Sequence, residues 1–499
     1  MSPRPRPRII RNGLVISADA RSAAPHDLLI VDGHIAEVGA PGLAAPEDAE
    51  LLDASDRLVI PGLINAHTHS HLAAAKGLSE AWTLELHLHH GPWTGGGQVL
   101  QDRRLFARLA AVEMLMKGCT ACYDLVLELP QPTPQGLHAT AQGYLDAGMR
   151  AVVAPMMADK TFWQAIPGLL QALPEDLRGP VEGIVLADHQ TSLAACRTAL
   201  ETWPHDRAHS RPALAPTIPL HCSDDFWVAC RDMAEAYDVG LHAHLAESKI
   251  QAVSGARAYG TSLTRHLDKL GVLSERFVAA HGVWLEAEDF ELLARRGAKV
   301  SHNPSSNFRL GSGIANLPAM RRAGLTVALG TDTCSCSDHL NMFEVMRLAN
   351  YLTRVRSFDP ADWLTPAEVL RMATENGAAA LGLEARLGRI APGYAADLVL
   401  IDTTTVSSLP LNDAIRQLVF AEEGRGVDRV LVAGRTVVEE GRPVLVDYES
   451  MRAEVMARSA ALLESNALKR EQLSALEPHV RAFCLGLAAV PHAVKAQLR

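Results

Sequence analysis

Short apolar runs alternate along the chain with longer segments whose apolar residues recur at three- and four-residue spacing, the pattern of strands each followed by an amphipathic helix. Eight such runs can be read: "LVIPGLINAH", "CTACYDL", "GMRAVVAPMM", "PALAPTIPL", "VGLHAHLAE", "RFVAAHGVWL", "GAKVSHNP" and "GLTVALGTD". Eight successive strand–helix units predict an α/β chain folded as a closed (β/α)8 TIM barrel, whose functional residues collect where the strands end at their C-terminal side. No repeat at a period of about 20–50 residues interrupts the pattern, which argues against a solenoid or a propeller.

The two ends of the chain read differently. "RIIRNGLVIS", "DLLIVDGHIAEVG" and "RLVIPG" are strand-like pieces punctuated by turns such as Asp32-Gly33, and the same grammar returns in "GYAADLVLID" and "VDRVLVAGRTVVEEGRPV". They predict one small β-sandwich assembled from both termini, with segments 1–59 and 389–446 enclosing a barrel over 60–388. The tail 447–499 carries Met451, Val455, Met456, Leu462 and Leu463 at helical spacing and meets Pro478 and Pro491. It is expected to form helices stopped by those prolines, packed on the barrel or on a neighbouring subunit.

Composition narrows the classes. A 48% hydrophobic content over 499 residues is enough for a large core, and Lys+Arg 47 against Asp+Glu 57 gives a net charge of −10. That balance has no general attraction for nucleic acid or an anionic membrane. The basic run Arg4, Arg6, Arg8 and Arg11 leads into no apolar signal segment, and no uninterrupted stretch of about 18 apolar residues occurs, so a cytoplasmic protein is expected. Eight cysteines are too sparse for a disulfide framework. Cys119 and Cys122 fall on a strand, where positions three apart face opposite ways and cannot share a metal. Cys334 and Cys336, on either side of Ser335, are expected to line a pocket.

The candidate chemistry sits at the ends of the apolar runs. "INAHTHSH" places His67 and His69 two apart, so both imidazoles project from one face of the strand into the barrel mouth, with His71 read as pocket lining. "LHAHLAES" supplies His242 and His244. Glu247 follows three residues later and can face the opening only if the chain turns after His244. The next runs end at His281, His302 and Asp332. Imidazoles joined by a carboxylate suit one divalent ion, zinc first, with iron(II) or manganese matching the same donors. Such an ion ionises a bound water near neutral pH, which His281 and Asp332 are placed to hold or deprotonate and Glu247 to relay as a proton carrier.

This constellation resembles the amidohydrolase superfamily, in particular its aminoheterocycle deaminases and triazine hydrolases, among them adenosylhomocysteine/methylthioadenosine deaminases and guanine deaminase relatives. The similarity runs from "PGLINAHTH" through "HLAES", "AAHGVWL", "SHNPSSNFRLGSGIANLP" and "VALGTDT" to "APGYAADLVLID". It implies that His67, His69, His244 and Asp332 bind a single metal, that Glu247 shuttles a proton to the ring nitrogen and then to the departing amine, and that His281 orients the water. It further implies that His302 and Asn303 shape the substrate pocket. Two-metal members carry a lysine at the end of the fourth strand, which "PALAPTIPL" lacks; the nearest upstream, Lys160, follows the third. The sequence departs from the family at "TDTCSCSDHLNMFE". In "GLSEAWTLELHLHHGPWTGGG", Trp82, Trp93, His87, His89 and His90 are expected in the first βα loop, either as a lid over a flat aromatic ligand or as a surface loop packed on a dimer partner.

The expected activity is hydrolytic deamination of an amino-substituted purine, pterin, pyrimidine or triazine by a metal-generated hydroxide, in a homodimer or larger homo-oligomer acting on a small heteroaromatic amine. The same site would serve triazine dechlorination or the cleavage of aryl-urea, carbamate or amide bonds. A non-catalytic scaffold is a third reading, which the intact ligand positions disfavour.

Overall fold

The computed structural model describes residues 6–492, so Arg4 of the basic run lies outside the described residues. Eight parallel barrel strands follow one another: β1 (Leu63–Thr68), β2 (Cys119–Leu127), β3 (Arg150–Met157), β4 (Ala215–Pro216), β5 (Leu241–Leu245), β6 (Phe277–His281), β7 (Lys299–His302) and β8 (Thr326–Leu329). Strands β1 to β4 form one ladder and β5 to β8 another. Single parallel bridges, Leu214 to Leu241 and Thr68 to Asp332, close the two ladders into the barrel. Its interior is floored with small residues, among them Ala66, Ala121, Ala154, Ala215 and Ala328, together with Ile64, Val152 and Val278. This narrow alanine-rich lining leaves the upper layer free for bulkier imidazoles.

The small domain is built from both ends of the chain. Strands Arg8–Ile16, Ala23–Val31, His34–Gly39, Glu50–Asp53 and Arg57–Pro61 join Leu398–Asp402, Val427–Val432, Arg435–Glu439 and Arg442–Pro443 in one nine-stranded sheet around a core that includes Ile10, Leu28, Ile35, Val59, Leu398 and Leu431. The Asp32-Gly33 hairpin has both residues at positive φ, 48° and 77°, which matches the twist of its flanking strands. A buried bidentate ion pair ties this domain to the barrel: Arg150, the first residue of β3, donates to Asp397 at 2.9 and 3.0 Å.

Three local expectations need correction. Cys119 and Cys122 both join the cluster outside the barrel wall, because the ladder between β1 and β2 shifts register after Leu63 and Cys119 and the bulge turns the strand over. Pro478 does not stop the tail. It lies inside α4 (Ala467–Ala488), where Leu473, Leu476, Val480, Cys484 and Leu487 bury one continuous face. The interior proline costs on the order of 3 kcal/mol, and that face offsets it. Finally, the segment after β1 is largely helical: α1 (Leu84–Thr94) is capped by Thr83 and packs against α4 through His89 Nε2 to Leu473 O at 2.8 Å and His90 Nε2 to Glu477 Oε2 at 2.9 Å.

Candidate metal centre and active site

The mouth of the barrel brings together side chains from four strands. On β1, alternate positions put His67 and His69 on the inner face, their Nε2 atoms 3.2 Å apart. His244 on β5 presents Nε2 3.3 Å from that of His69. Asp332, just past β8, brings Oδ1 to 3.1 Å from His69 Nε2 and 3.6 Å from His67 Nε2. His281 at the end of β6 has Nε2 3.8 Å from Asp332 Oδ2. Gly330 makes this approach possible, since a Cβ there would lie 2.9 Å from His67 Cβ and 2.5 Å from Asn303 Oδ1.

Three of the other ring nitrogens face hydrogen-bond acceptors, while His67 Nδ1 is buried without a partner among the described residues. His69 Nδ1 donates to Leu125 O at 2.7 Å, His244 Nδ1 to Thr217 O at 2.7 Å, and His281 Nδ1 to Asn307 Oδ1 at 2.9 Å. With the proton held on Nδ1 in these three rings, their Nε2 lone pairs turn to the common centre, as a metal ligand requires. Bonds of about 2.0–2.1 Å put the corners of a zinc tetrahedron about 3.3 Å apart, and the separations among His67, His69, His244 and Asp332 bracket that figure. Two overlapping groups satisfy the geometry of a cation site, His67–His69–His244 and His67–His281–Asp332, each with donor atoms within 4.8 Å of one another. The residues therefore fit a divalent ion.

The imidazoles do not shift alike: burial presses His69 down, but the Asp332 hydrogen bond and charge lift it above its ordinary value. Burial, reinforced by His69 and His281, pushes the His244 imidazole down to about 3, and His67 likewise falls well below its ordinary value, so both are neutral donors. Burial opposes ionisation of Asp332, yet the hydrogen bond to His69 and the facing imidazoles hold its carboxyl well below the usual range. Ser306 Oγ donates to Asp332 Oδ2 at 2.6 Å and the Thr333 amide to Oδ1 at 2.8 Å, which fixes the carboxylate plane.

Glu247 reaches the site by the turn its sequence position demands. Strand β5 ends at Leu245, Ala246 takes φ of 50°, and the Glu247 carboxyl folds back to 3.6 Å from His281 Nε2. Burial, then the charges of Asp332 and Glu85, lift its pKa well above the usual carboxylate range. Its backbone N–H donates to Gln251 Oε1 at 2.9 Å within α2 (Lys249–Tyr259), which Ser248 caps. Ser248 Oγ in turn donates to the buried Glu85 of α1 at 2.6 Å.

Several sequence expectations land elsewhere. His302 and Asn303 do not line the cavity: both are buried, and Asn303 stands behind His281, Nδ2 to Nδ1 at 3.4 Å. They lie below the strand tips, in the layer that backs the imidazoles. Cys334 and Cys336 also stay out of the cavity wall; Cys336 packs its Sγ 3.5 Å from Asp332 Oδ2, and Cys334 belongs to the outer core. Trp82 and Trp93 turn away from the opening, Trp82 stacking on His90 at 4.4 Å and Trp93 sinking into the α1–α4 seam. The face of α1 that meets the cavity carries Leu84, His87 and Leu88 instead.

Sequence reasoning did not single out Ser306, Asn307 or Glu85. The first two lie in "SHNPSSN", at the start of α3 (Pro304–Arg309), a motif whose serines and second asparagine were available as a signal. Glu85 carried none, since an acidic residue in the first turn of a helix is ordinary N-terminal composition.

Comparisons with known proteins identify the family and the fold. Residues 58–437 match the amidohydrolase family. The chain is 34% identical over 456 residues to the 5-methylthioadenosine/S-adenosylhomocysteine deaminase of Syntrophobacter fumaroxidans, covering 90% of this chain and 96% of that protein. Its fold is similar to that of an adenosine deaminase from Xanthomonas campestris with bound zinc, at TM-score 0.81 and 27% identity over 92% of this chain and 99% of the other. It is also similar to the atrazine chlorohydrolase of Arthrobacter aurescens in complex with zinc, at TM-score 0.79 and 27% identity over 91% and 99% of the two chains. The chain belongs to the amidohydrolase family.

Proposed function

We propose that this protein is a metal-dependent hydrolase that removes an exocyclic amino group from a nitrogen heterocycle, with His67, His69, His244 and Asp332 holding one divalent ion, zinc by the donor set. The ion, when bound, supplies a Lewis acid that lowers the pKa of a water to near neutrality. His281, held by Asn307, orients the attacking water from the side of Asp332 and Glu247. Glu247 moves the proton: its carboxyl, kept protonated by burial, is a general acid toward the ring nitrogen next to the amino-bearing carbon. As the water oxygen adds to that carbon, Glu247 gives its proton to the ring nitrogen and takes one from the water; the C–N bond then breaks as it passes that proton to the amine, which leaves as ammonia, and the carbonyl forms as the remaining hydroxyl proton returns to Glu247.

The observation that carries this reading is the buried Glu247 carboxyl at 3.6 Å from His281, beside the four-residue donor set and facing the cavity. The deaminase names of its relatives support the same bond. Glu247→Gln is expected to retain zinc and lose turnover by several orders of magnitude, whereas His67→Ala loses both. Zinc analysis and ammonia release from a panel of aminopurines, aminopyrimidines and aminotriazines check this. Near-wild-type turnover by Glu247→Gln would remove Glu247 from proton transfer.

A further inference from the structure

A second cavity lies at the opposite end of the barrel from the metal centre, where the strands begin. Gly240 just before β5, Arg276 just before β6 and Lys299 at the start of β7 line it, together with Arg207 and with Arg211, which pairs with β3. Its inner wall carries Tyr123 of β2, a side chain almost wholly buried whose hydroxyl has no partner among the described residues. A Cβ at Gly240 would stand 2.7 Å from that oxygen, so the glycine is what lets the hydroxyl come up to the cavity. The Tyr123 ring is held edge-on to His242 at 4.5 Å and cannot swing away. A buried hydroxyl without a partner is costly, and an acceptor entering the cavity satisfies it.

The charges around this cavity are sorted by depth. Its three carboxylates, Asp238, Glu275 and Glu384, are all exposed, and Asp238 is taken by Arg276 Nη1 at 2.5 Å. Arg211 and Lys299 are half-buried, and neither has a carboxylate within ion-pair distance. Arg211 Nη1 donates to Gly382 O at 2.8 Å and Lys299 Nζ to Glu275 O, which leaves further N–H groups of both free to donate. Glu384 acts on the two cations only from longer range. Burial, then the like charges of Arg386 and Arg207, draw Arg211 below its usual value, and burial does the same to Lys299. An anion between them reverses that cost and accepts charge-assisted hydrogen bonds from both. At about 270 Å³ the cavity lies just under the roughly 300–1,000 Å³ of drug-sized sites, room for an ion of several heavy atoms.

We propose that the N-terminal end of the barrel is a second binding site, for a small oxyanion of phosphate or carboxylate type, held by Arg211 and Lys299 and receiving a hydrogen bond from the Tyr123 hydroxyl. None of the three belongs to the metal centre, so the site stands apart from the hydrolytic reading.

The test is calorimetric titration of inorganic phosphate and, separately, of malonate into zinc-loaded full-length protein, as wild type, Tyr123→Phe and Lys299→Met. Tyr123→Phe removes only an unpartnered hydroxyl, so it keeps its fold and its zinc and decides the matter even if Lys299→Met does not fold. At least one of the two anions is expected to bind wild type at millimolar concentration or below, and each substitution to weaken it at least tenfold with zinc content unchanged. Tighter binding of phosphate assigns the site to phosphoryl groups, and tighter binding of malonate to carboxylates. An anion sitting on the zinc would be insensitive to both substitutions. Affinity within threefold of wild type in either folded variant, or no binding of either anion at millimolar concentration, overturns the proposal.

Discussion

Ser306→Ala removes a single buried hydroxyl and tests whether the Asp332 carboxylate is a ligand set by its surroundings. Ser306 Oγ donates to Asp332 Oδ2 at 2.6 Å while the Thr333 amide holds Oδ1 at 2.8 Å. Losing the first contact frees the carboxylate to rotate about the second, and a hydrogen bond to a charged group is worth roughly 1.5–3 kcal/mol. At about 1.4 kcal/mol per tenfold, that corresponds to a loss of the order of 10- to 100-fold, the range for partners of metal ligands. Cys336 Sγ, 3.5 Å from the same oxygen, remains as a weak donor, so the single variant is expected near tenfold and Ser306→Ala combined with Cys336→Ala nearer a hundredfold. Zinc affinity is read by competition with a chromophoric chelator, and thermal unfolding is followed with and without zinc. A tenfold weaker site lowers the zinc-dependent part of the stability by about 1.4 kcal/mol at fixed free zinc, on top of the roughly 1–3 kcal/mol that loss of a buried hydrogen bond takes from the zinc-free protein. Zinc affinity within threefold of wild type in both variants would refute the reasoning.

Two further outcomes concern the scaffold. Asp397→Ala leaves the buried Arg150 guanidinium without its partner and also strips an acceptor from the Ala433 amide, at 2.8 Å. A loss of about 3–5 kcal/mol is expected in denaturant unfolding, whereas a change below about 1 kcal/mol would show the pair to be dispensable between barrel and sandwich. Leu476→Ala, fully buried in the seam shared by α4, Trp93 and Trp163, should cost about 2–5 kcal/mol. Because that seam backs the α1 wall of the cavity, KM should rise with kcat little changed. An unaltered KM would separate the tail from the site.

The barrel is legible in the sequence because each strand is buried on both faces and so reads as a short uninterrupted apolar run, and because eight of them fit one closed form. The convergence of His67 with His69 is legible for a local reason: the two-residue repeat of a strand needs no tertiary knowledge to put both rings on one face. Glu247 is legible only conditionally, since its direction depends on a turn that the structure places at Ala246. What escapes are features decided by long-range packing. The bulge that brings Cys119 and Cys122 to one face depends on the register with β1, and the inward burial of Trp93 depends on a helix nearly 400 residues away in sequence. Pro478 misleads because propensity weighs a residue alone, while five buried side chains of α4 decide the outcome.

The backbone of the site separates two ways of bringing a side chain to the barrel axis. His67, His69 and His244 reach it from β1, its end and β5 by ordinary strand alternation, and none has a left-handed backbone. The remaining chemistry lies at or just past strand ends, where alternation no longer determines direction. There the chain uses positive φ at non-glycine residues: Ala246 at 50° before Glu247, His281 at 72°, and Asp332 at 63°. Each such residue costs on the order of 1–2 kcal/mol, so neighbouring strands must hold it. Trp284 N donates to Ala246 O at 2.8 Å, Gly282 N to Leu245 O at 3.1 Å, and Asp332 N to His67 O at 2.9 Å. Strain of this kind persists only where its surroundings over-determine it, and it clusters at functional sites. Here it falls on the three positions that turn a carboxyl, an imidazole and a carboxylate from the strand direction toward one another. A strand end free to continue in extended geometry would carry Glu247 to the opposite face from His244, away from His281 and the cavity floor.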